Sequence, residues 1–342
     1  MSPGHASMRD VARVAGVSLA TVSYVVNGGP KPVGAATRQR VVAAMHRTGY
    51  RAGGRSRSRA RSLTIGAIVP DATNTFFAEA LGGAESVLGE FGHMLVTASS
   101  NDDPARELKA LKALSRARVN GLILTPNADV PAEVEELTSR GVPVVLMDRD
   151  GGATGLSRVV MDNYGSAFQA TRLLIDSGLH RIALVNGPEQ VSTARERLQG
   201  YRDALERAGL AVDDRYVRLG PFTVEHGRQG TLDLLSLPKQ PDAIFSSSVI
   251  LTAGVLWALR VQRLRWPEDI AVVGFGDSVW ASLVTPTLTV IEQPVRQLGE
   301  VAARVLMASN GDAGQPQQLV LESHLILRES HRRPAPRAVA NG

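Results

Sequence analysis

The fold class this sequence predicts is a small three-helix head with a helix-turn-helix, followed by an α/β body of two parallel-sheet subdomains. Three observations predict it. Two short helical stripes flank a glycine turn near the N-terminus. Charge divides unevenly between the first 62 residues and the remaining 280. From Leu63 onward, short apolar runs alternate with longer helical segments, in two successive sets.

The head comes first. Ser7 reads as an N-cap with Asp10 in the capping-box position, opening a helix over Met8–Ala15. Gly16 breaks that helix and Ser18 caps a second, from Leu19 to about Val26. Met8, Val11, Ala12 and Ala15 recur at helical spacing, as do Val22, Val25 and Val26, so each helix has one side to bury. Residues 28–32 form a loop, and a third helix runs from about Ala35 to Thr48, with Val41, Val42, Ala44 and Met45 as its apolar face and Gly49 ending it. A bundle held by so few aliphatics is marginally stable alone. Two helices joined by a tight turn are also common in ordinary cores, so their geometry alone does not decide for DNA. Charge adds to it: residues 1–62 hold eleven Arg or Lys against the single acid Asp10, a head of +10 on a body of −5. A basic head of that kind suits phosphate neutralisation.

Residues 51–62, RAGGRSRSRARS, form an Arg-rich linker whose Gly, Ser and mutually repelling Arg favour a flexible tether. Leu63–Pro70 then reads as a buried parallel strand, followed by a helix from about Phe76 to Phe91. The alternation continues through strand His93–Ala98, helix Pro104–Arg116, strand Gly121–Thr125, helix 131–140 and strand Val142–Met147. A second set begins near Asp162: helix 165–177, strand Ile182–Asn186, helix 193–208, a strand near 216–219, helix 225–236, strand Ala243–Ser247, helix 250–260 and strand Ile270–Phe275. Such alternation gives parallel sheets covered on both faces, with ligands bound beyond the carboxyl ends of the strands.

Composition narrows the function. The chain has 342 residues, no Cys and no apolar stretch long enough to span a membrane, so a cytoplasmic protein without a Cys-ligated metal is expected. No Gly-rich phosphate loop, nucleophile elbow or His cluster appears; His93, His180 and His226 are scattered. No enzyme activity, metal or cofactor is expected. A solute-binding protein for transport is the rival for the body, and the basic head speaks against it.

The detailed pattern is more specific. Val11-Ala12, Ala15-Gly16-Val17-Ser18, Thr21-Val22-Ser23, Val25-Val26-Asn27, Thr37-Arg38 and Val41 resemble the headpiece of the lactose-repressor/galactose-repressor (LacI/GalR) family. The resemblance continues through Asn74, Phe76-Phe77, Gly121-Leu122-Ile123, Asp148-Arg149, Asp162-Asn163, Arg197, Gly200-Tyr201, Val273-Gly274-Phe275 and Gln293-Pro294, over roughly residues 8 to 330. It implies a helix-turn-helix domain at 1–50, a hinge at 51–62, and a type I periplasmic-binding-protein-like body at 63–330. The body's implied halves are about 63–160 plus 291–320 and about 162–290 plus 321–330; the tail at 331–342 has no apolar heptads and is expected to be disordered.

The function so implied is a sequence-specific transcriptional repressor, a homodimer on double-stranded operator DNA, controlled by a small-molecule effector, a sugar or sugar derivative. Leu19, Ala20 and Tyr24 would contact bases, with Ser18, Thr21, Ser23, Asn27 and Lys31 among the DNA contacts. Local capping is the alternative for Thr21 and Ser23, and core packing for Leu19. In the family the linker folds on DNA and wedges a leucine into the minor groove; here no Leu stands in that position. Arg55, Arg57 and Arg59 are expected to enter a narrow minor groove or to hold phosphates instead. The implied effector contacts are Phe76, Phe77, Asp162, Arg197, Phe222, Ser248 and Asp277. Core aromatics are the rival reading for Phe76 and Phe77, and a structural ion pair for Asp162 and Arg197. The chain departs from sugar-binding relatives at Gly276, where an Asp is usual, and at Ser248-Val249, where Asn-Asp is usual.

Overall fold

A computed structural model of the chain describes residues 7–27, 33–48, 62–127, 129–152, 155–309 and 315–332, leaving aside the side chains of Val26, Asn27, Ala35 and His46. The chain divides between Ser62 and Leu63 into two compact units.

The first unit contains α1 (Met8–Ala15), α2 (Leu19–Asn27) and α3 (Ala35–Thr48). The expected capping box closes α1: the Ser7 amide donates to the Asp10 carboxylate at 3.0 Å, and the Asp10 amide donates to Ser7 Oγ at 3.4 Å. The Ser7 amide, and Ser7 Oγ donating at 2.7 Å, hold the Asp10 carboxyl below the usual carboxylate range. Gly16 ends the helix at φ 63°, a left-handed conformation that glycine reaches without steric cost. Val11, Ala12, Ala15, Val22, Val41 and Ala44 make the core, with Met8, Val17, Val25 and Met45 packed on it. Val42 is 43% exposed, so the stripe of α3 is narrower than expected.

The second unit follows as β1 (Thr64–Val69), α4 (Thr75–Glu90), β2 (Met94–Ser99), α5 (Pro104–Arg116), β3 (Gly121–Leu124), α6 (Glu133–Ser139), β4 (Val144–Met147) and β5 (Ser157–Met161). It continues as α7 (Asn163–Asp176), β6 (Ile182–Asn186), α8 (Ser192–Arg207), β7 (Val217–Leu219), α9 (Val224–Leu235), β8 (Ala243–Ser246), α10 (Val249–Val261) and β9 (Ala271–Phe275). Then come β10 (Thr289–Glu292), α11 (Val295–Ala308), β11 (Gln318–Leu321) and β12 (His324–Ile326).

Two six-stranded sheets result, ordered β11-β5-β4-β3-β1-β2 and β12-β10-β9-β8-β6-β7, the same pattern used twice. Side-chain alternation assigns their faces. In β1, Ile65, Ala67 and Val69 face the core shared with α4 and α11, while Ile68 joins the core under α5 and α6. In β6, Ile182 and Leu184 join the core with α7 and α8, whereas Ala183 and Val185 join the one with α9 and α10. Strands buried on both faces read as continuous apolar runs, which is why β1 and β6 were legible. The helix pair α4/α11 packs closely enough that a Cβ on Gly83 would strike the Arg296 carbonyl, and one on Gly299 the Ala80 carbonyl.

Several features differ from the sequence reading. The sheets are not wholly parallel: β10 and β12 pair antiparallel, in register Val290 with Ile326 and Glu292 with His324. Strands β5, β10, β11 and β12 and helix α11 were not assigned. The two C-terminal strands lie at sheet edges and are partly exposed, so no long apolar run marks them. The chain passes between the sheets three times, at Asp162, at Gln293-Pro294 and at Glu322-Ser323. His331, expected in the tail, is buried with its Nδ1 2.8 Å from Thr289 Oγ1; residues 333–342 of that tail lie outside the described residues. No described helix is long and apolar enough to cross a membrane.

Candidate functional site

In the first unit, the residues expected to read DNA cluster at the start of α2. Ser18 Oγ accepts from the Thr21 amide at 3.1 Å and lies 2.8 Å from Thr21 Oγ1, so both hydroxyls take part in the cap. Leu19 is 44% exposed, which removes core packing as its role. Ala20 is exposed, and Ser23 and Tyr24 are half-buried around the fully buried Val22. One buried anchor thus fixes a helix start whose neighbouring side chains remain accessible. Lys31, Arg55, Arg57 and Arg59, and the side chain of Asn27, lie outside the described residues.

In the second unit, loops at the carboxyl ends of both sheets enclose a cavity whose empty volume, mouth included, is about 670 Å³. The first sheet supplies Asn74, Phe76 and Phe77 after β1, Asp102 after β2, and Asp148 and Arg149 after β4. The second supplies Thr193 and Arg197 on α8, Phe222 after β7, and Ser248, Val249 and Ile250 at the start of α10. Gln293 enters from the crossing after β10. Parallel strands end together at one edge of each sheet, so residues far apart in sequence converge there.

The polar part of the cavity is built around three buried charges. Arg197 donates from Nε to Asn163 Oδ1 at 2.9 Å and from Nη1 to the Ser247 carbonyl at 2.5 Å, and its guanidinium carbon lies 3.9 Å from the Phe275 ring centre. Burial brings its pKa down to about 10, against the opposing pull of Asp148 and Glu196, so it remains a cation at neutral pH. Arg149, 3% exposed, donates from Nη1 to Asp102 Oδ1 at 2.7 Å and to the Pro126 carbonyl at 3.3 Å. Asp148 sits beside it in the left-handed region at φ 69°, an uncommon conformation for a non-glycine residue. Burial pushes the Asp148 carboxyl up, partly offset by Arg149 and Arg197. Asp148 Oδ1 and Arg149 Nε are buried without a hydrogen-bond partner. A buried acceptor and a buried donor left unmatched are costly.

The expected effector residues separate into two groups. Phe76, Phe77, Arg197, Phe222 and Ser248 line the cavity. Phe77 also belongs to the buried core, its ring 5.0 Å from that of Phe76 and edge-on to it. Asp162 and Asp277 do not line it. Asp162 is the N-cap of α7, accepting from the Gly165 amide at 2.7 Å; its neighbour Asn163 is the residue that reaches Arg197. An acid directly before a helix is a capping signal, and that signal was available in the sequence. Asp277 forms two bonds to Arg328, of 2.9 and 2.6 Å. Asp102, Asp148, Arg149 and Gln293 were missed as site residues. Asp148-Arg149 directly follows a predicted strand end, which is the one sequence signal that could have found it. Among the described residues, no group of three or more His, Asp or Glu is placed to hold a metal.

Comparison with known proteins agrees with this architecture. The family model for bacterial regulatory proteins of the lacI family matches residues 7–52, and that for periplasmic binding proteins and the sugar-binding domain of the LacI family matches residues 62–322. The ribose operon repressor of Escherichia coli is 39% identical over 308 residues, covering 88% of this chain and 92% of that protein. The catabolite control protein A of Priestia megaterium is 35% identical over 300 residues, covering 87% and 90%. Among solved structures, a complex of the transcriptional regulator CelR with cellobiose is 34% identical, with a TM-score of 0.73 over 95% of this chain and 100% of that one. The chain belongs to the LacI family: it is a DNA-binding transcriptional regulator with a periplasmic-binding-protein-like effector body.

Proposed function

We propose that this protein is a homodimeric cytoplasmic repressor whose operator affinity is set by a sugar held between the two sheets of its body. The observation that carries the reading is the cavity itself, which is lined by Asp148, Arg149 and Arg197 together with apolar side chains from the loops of both sheets. Phe76 and Phe222 provide apolar surface for the faces of a sugar ring. CelR, the relative solved with cellobiose, supports a carbohydrate effector. Because residues of both sheets line the cavity, a ligand that touches both favours one relative placement of them, and differential affinity is what shifts such an equilibrium.

For DNA, the proposal assigns base contact to Leu19, Ala20 and Tyr24. Leu19 and Ala20 would meet thymine methyl groups, and Tyr24 would form a hydrogen bond. Ser18, Thr21, Ser23, Asn27 and Lys31, with Arg55, Arg57 and Arg59 of the linker, would position the head on phosphate or in the minor groove. Exposed apolar residues on the body support a dimer: Phe91, Met94 and Val96 beside and on the edge strand β2, Trp257 and Val261 one turn apart on α10, and Val279 and Leu283. Two copies place two heads on a pseudo-palindromic site. The test selects duplexes from a random pool with the full-length protein, then titrates sugars into the selected complex while following anisotropy. A selected palindromic sequence whose affinity one sugar changes supports the proposal; no enrichment over competitor DNA overturns it.

A further inference from the structure

The cavity's lining is chemically mixed. Its charged residues are Asp148, Arg149 and Arg197, all buried. The second sheet, at the carboxyl ends of β7 and β8, adds Phe222, Val249 and Ile250. Of the polar groups near these side chains, Ser248 and Asp277 are engaged, while Gln293 Oε1 lies 3.7 Å from where a Cβ of Gly276 would stand. Ser248 Oγ accepts from the Leu251 amide at 3.2 Å as the cap of α10, and both Asp277 oxygens are bound to Arg328.

The hydrocarbon wall is fixed by fit. Gly276 has φ 92°, which favours glycine, and a Cβ there would occupy the place of Val249 Cγ2. Val249 and Gly276 therefore go together: the valine fills the space that the glycine leaves, and neither offers an acceptor. The Phe222 ring similarly occupies the space in which a Cβ of Gly187 would stand. A hydroxyl pressed against the side chains of Val249, Ile250 and Phe222 meets only hydrocarbon, whereas a methyl or aryl group gains burial there.

The geometry points to an effector that carries an apolar group: a sugar whose hydroxyls meet Asp148, Arg149 and Arg197, and whose methyl terminus or apolar aglycone lies against Val249, Ile250 and Phe222. This rests on the sugar binding proposed above and adds which sugars the cavity selects.

The test is calorimetric titration of the full-length protein with matched pairs. L-Fucose against L-galactose and L-rhamnose against L-mannose probe the methyl source. Phenyl and methyl β-D-glucosides against D-glucose probe the aglycone source. The deoxy or aglycone-bearing member of at least one pair should bind about tenfold or more tightly than its hydroxylated parent. Val249→Thr, which keeps the shape and adds a hydroxyl, should shrink that ratio; where its melting shows misfolding, Ile250→Thr makes the same comparison. Parents that bind as tightly as their partners overturn this inference and leave sugar binding standing. If no sugar of either kind binds, both fall.

Discussion

Val22→Ala tests whether the DNA-reading surface depends on the small core beneath it and on nothing in the body. Val22 is fully buried on α2, between the exposed Leu19 and Ala20 and the half-buried Tyr24. Truncation removes two methyl groups, about 1.6 kcal/mol of transfer free energy, and leaves a cavity that brings the cost to roughly 2–3 kcal/mol. Domains hold about 0.05–0.15 kcal/mol per residue, so a three-helix unit of this size has roughly 2–6 kcal/mol in all. Its core of three Val and three Ala gives no reserve beyond that. The loss is therefore a large share of the head's stability. The body has its own cores, and the chain divides into two units at Ser62. The expected result is a head transition lowered or lost in calorimetry, operator affinity reduced at least tenfold by anisotropy, and effector affinity unchanged. Unchanged operator binding, or loss of effector binding together with it, would refute the reasoning.

Other outcomes follow from the same geometry. Tyr24→Ala should weaken operator binding by about 1–3 kcal/mol and relax preference at one base pair, read by competition with single-substituted operators; equal weakening on all sequences would rule Tyr24 out as a base reader. Asp102→Asn removes the negative charge that holds Arg149 in the cavity and leaves only a neutral acceptor. Effector affinity should fall about tenfold, the order of one hydrogen bond to a charged group, with operator affinity of the ligand-free protein retained. Gly299→Ala drives a Cβ into the Ala80 carbonyl and should destabilise the body by about 1–3 kcal/mol in denaturant titration, sparing the head's transition. The pH dependence has a definite sign. Because burial raises the Asp148 pKa, its carboxylate takes a proton above the ordinary aspartate value of about 3.9 as pH falls. An effector hydroxyl donating to the ionised form then loses affinity on acidification through that window, and Asp148→Asn should flatten the profile.

Local chemistry was legible in the sequence where it needs only neighbours. Ser7 with Asp10, Gly16, and Ser18 each act within a turn, so their roles could be read from spacing. The same was true of β1, β6 and β8, whose residues are buried on both faces. The cavity depends on the ends of strands separated by up to about two hundred residues, and spacing carries no record of that convergence. Thus Arg149 was quoted for resemblance alone, although Asp102, in the loop after another strand, holds it in place. Asp162 and Asp277 show the converse: both were expected at the cavity, and the structure places one at a helix start and the other against an arginine. The edge strands β11 and β12 escaped because half-exposed segments of three or four residues have too little apolar pattern to stand out.

The most direct measurement of the central claim is a closed thermodynamic cycle on the full-length protein. Operator affinity is taken with and without saturating effector, and effector affinity with and without saturating operator. Coupling between the head and the body's cleft predicts one factor, well away from unity, appearing identically in both directions. Affinities that do not respond to the other ligand would contradict it, leaving a DNA-binding head and a solute-binding body that share a chain without communicating.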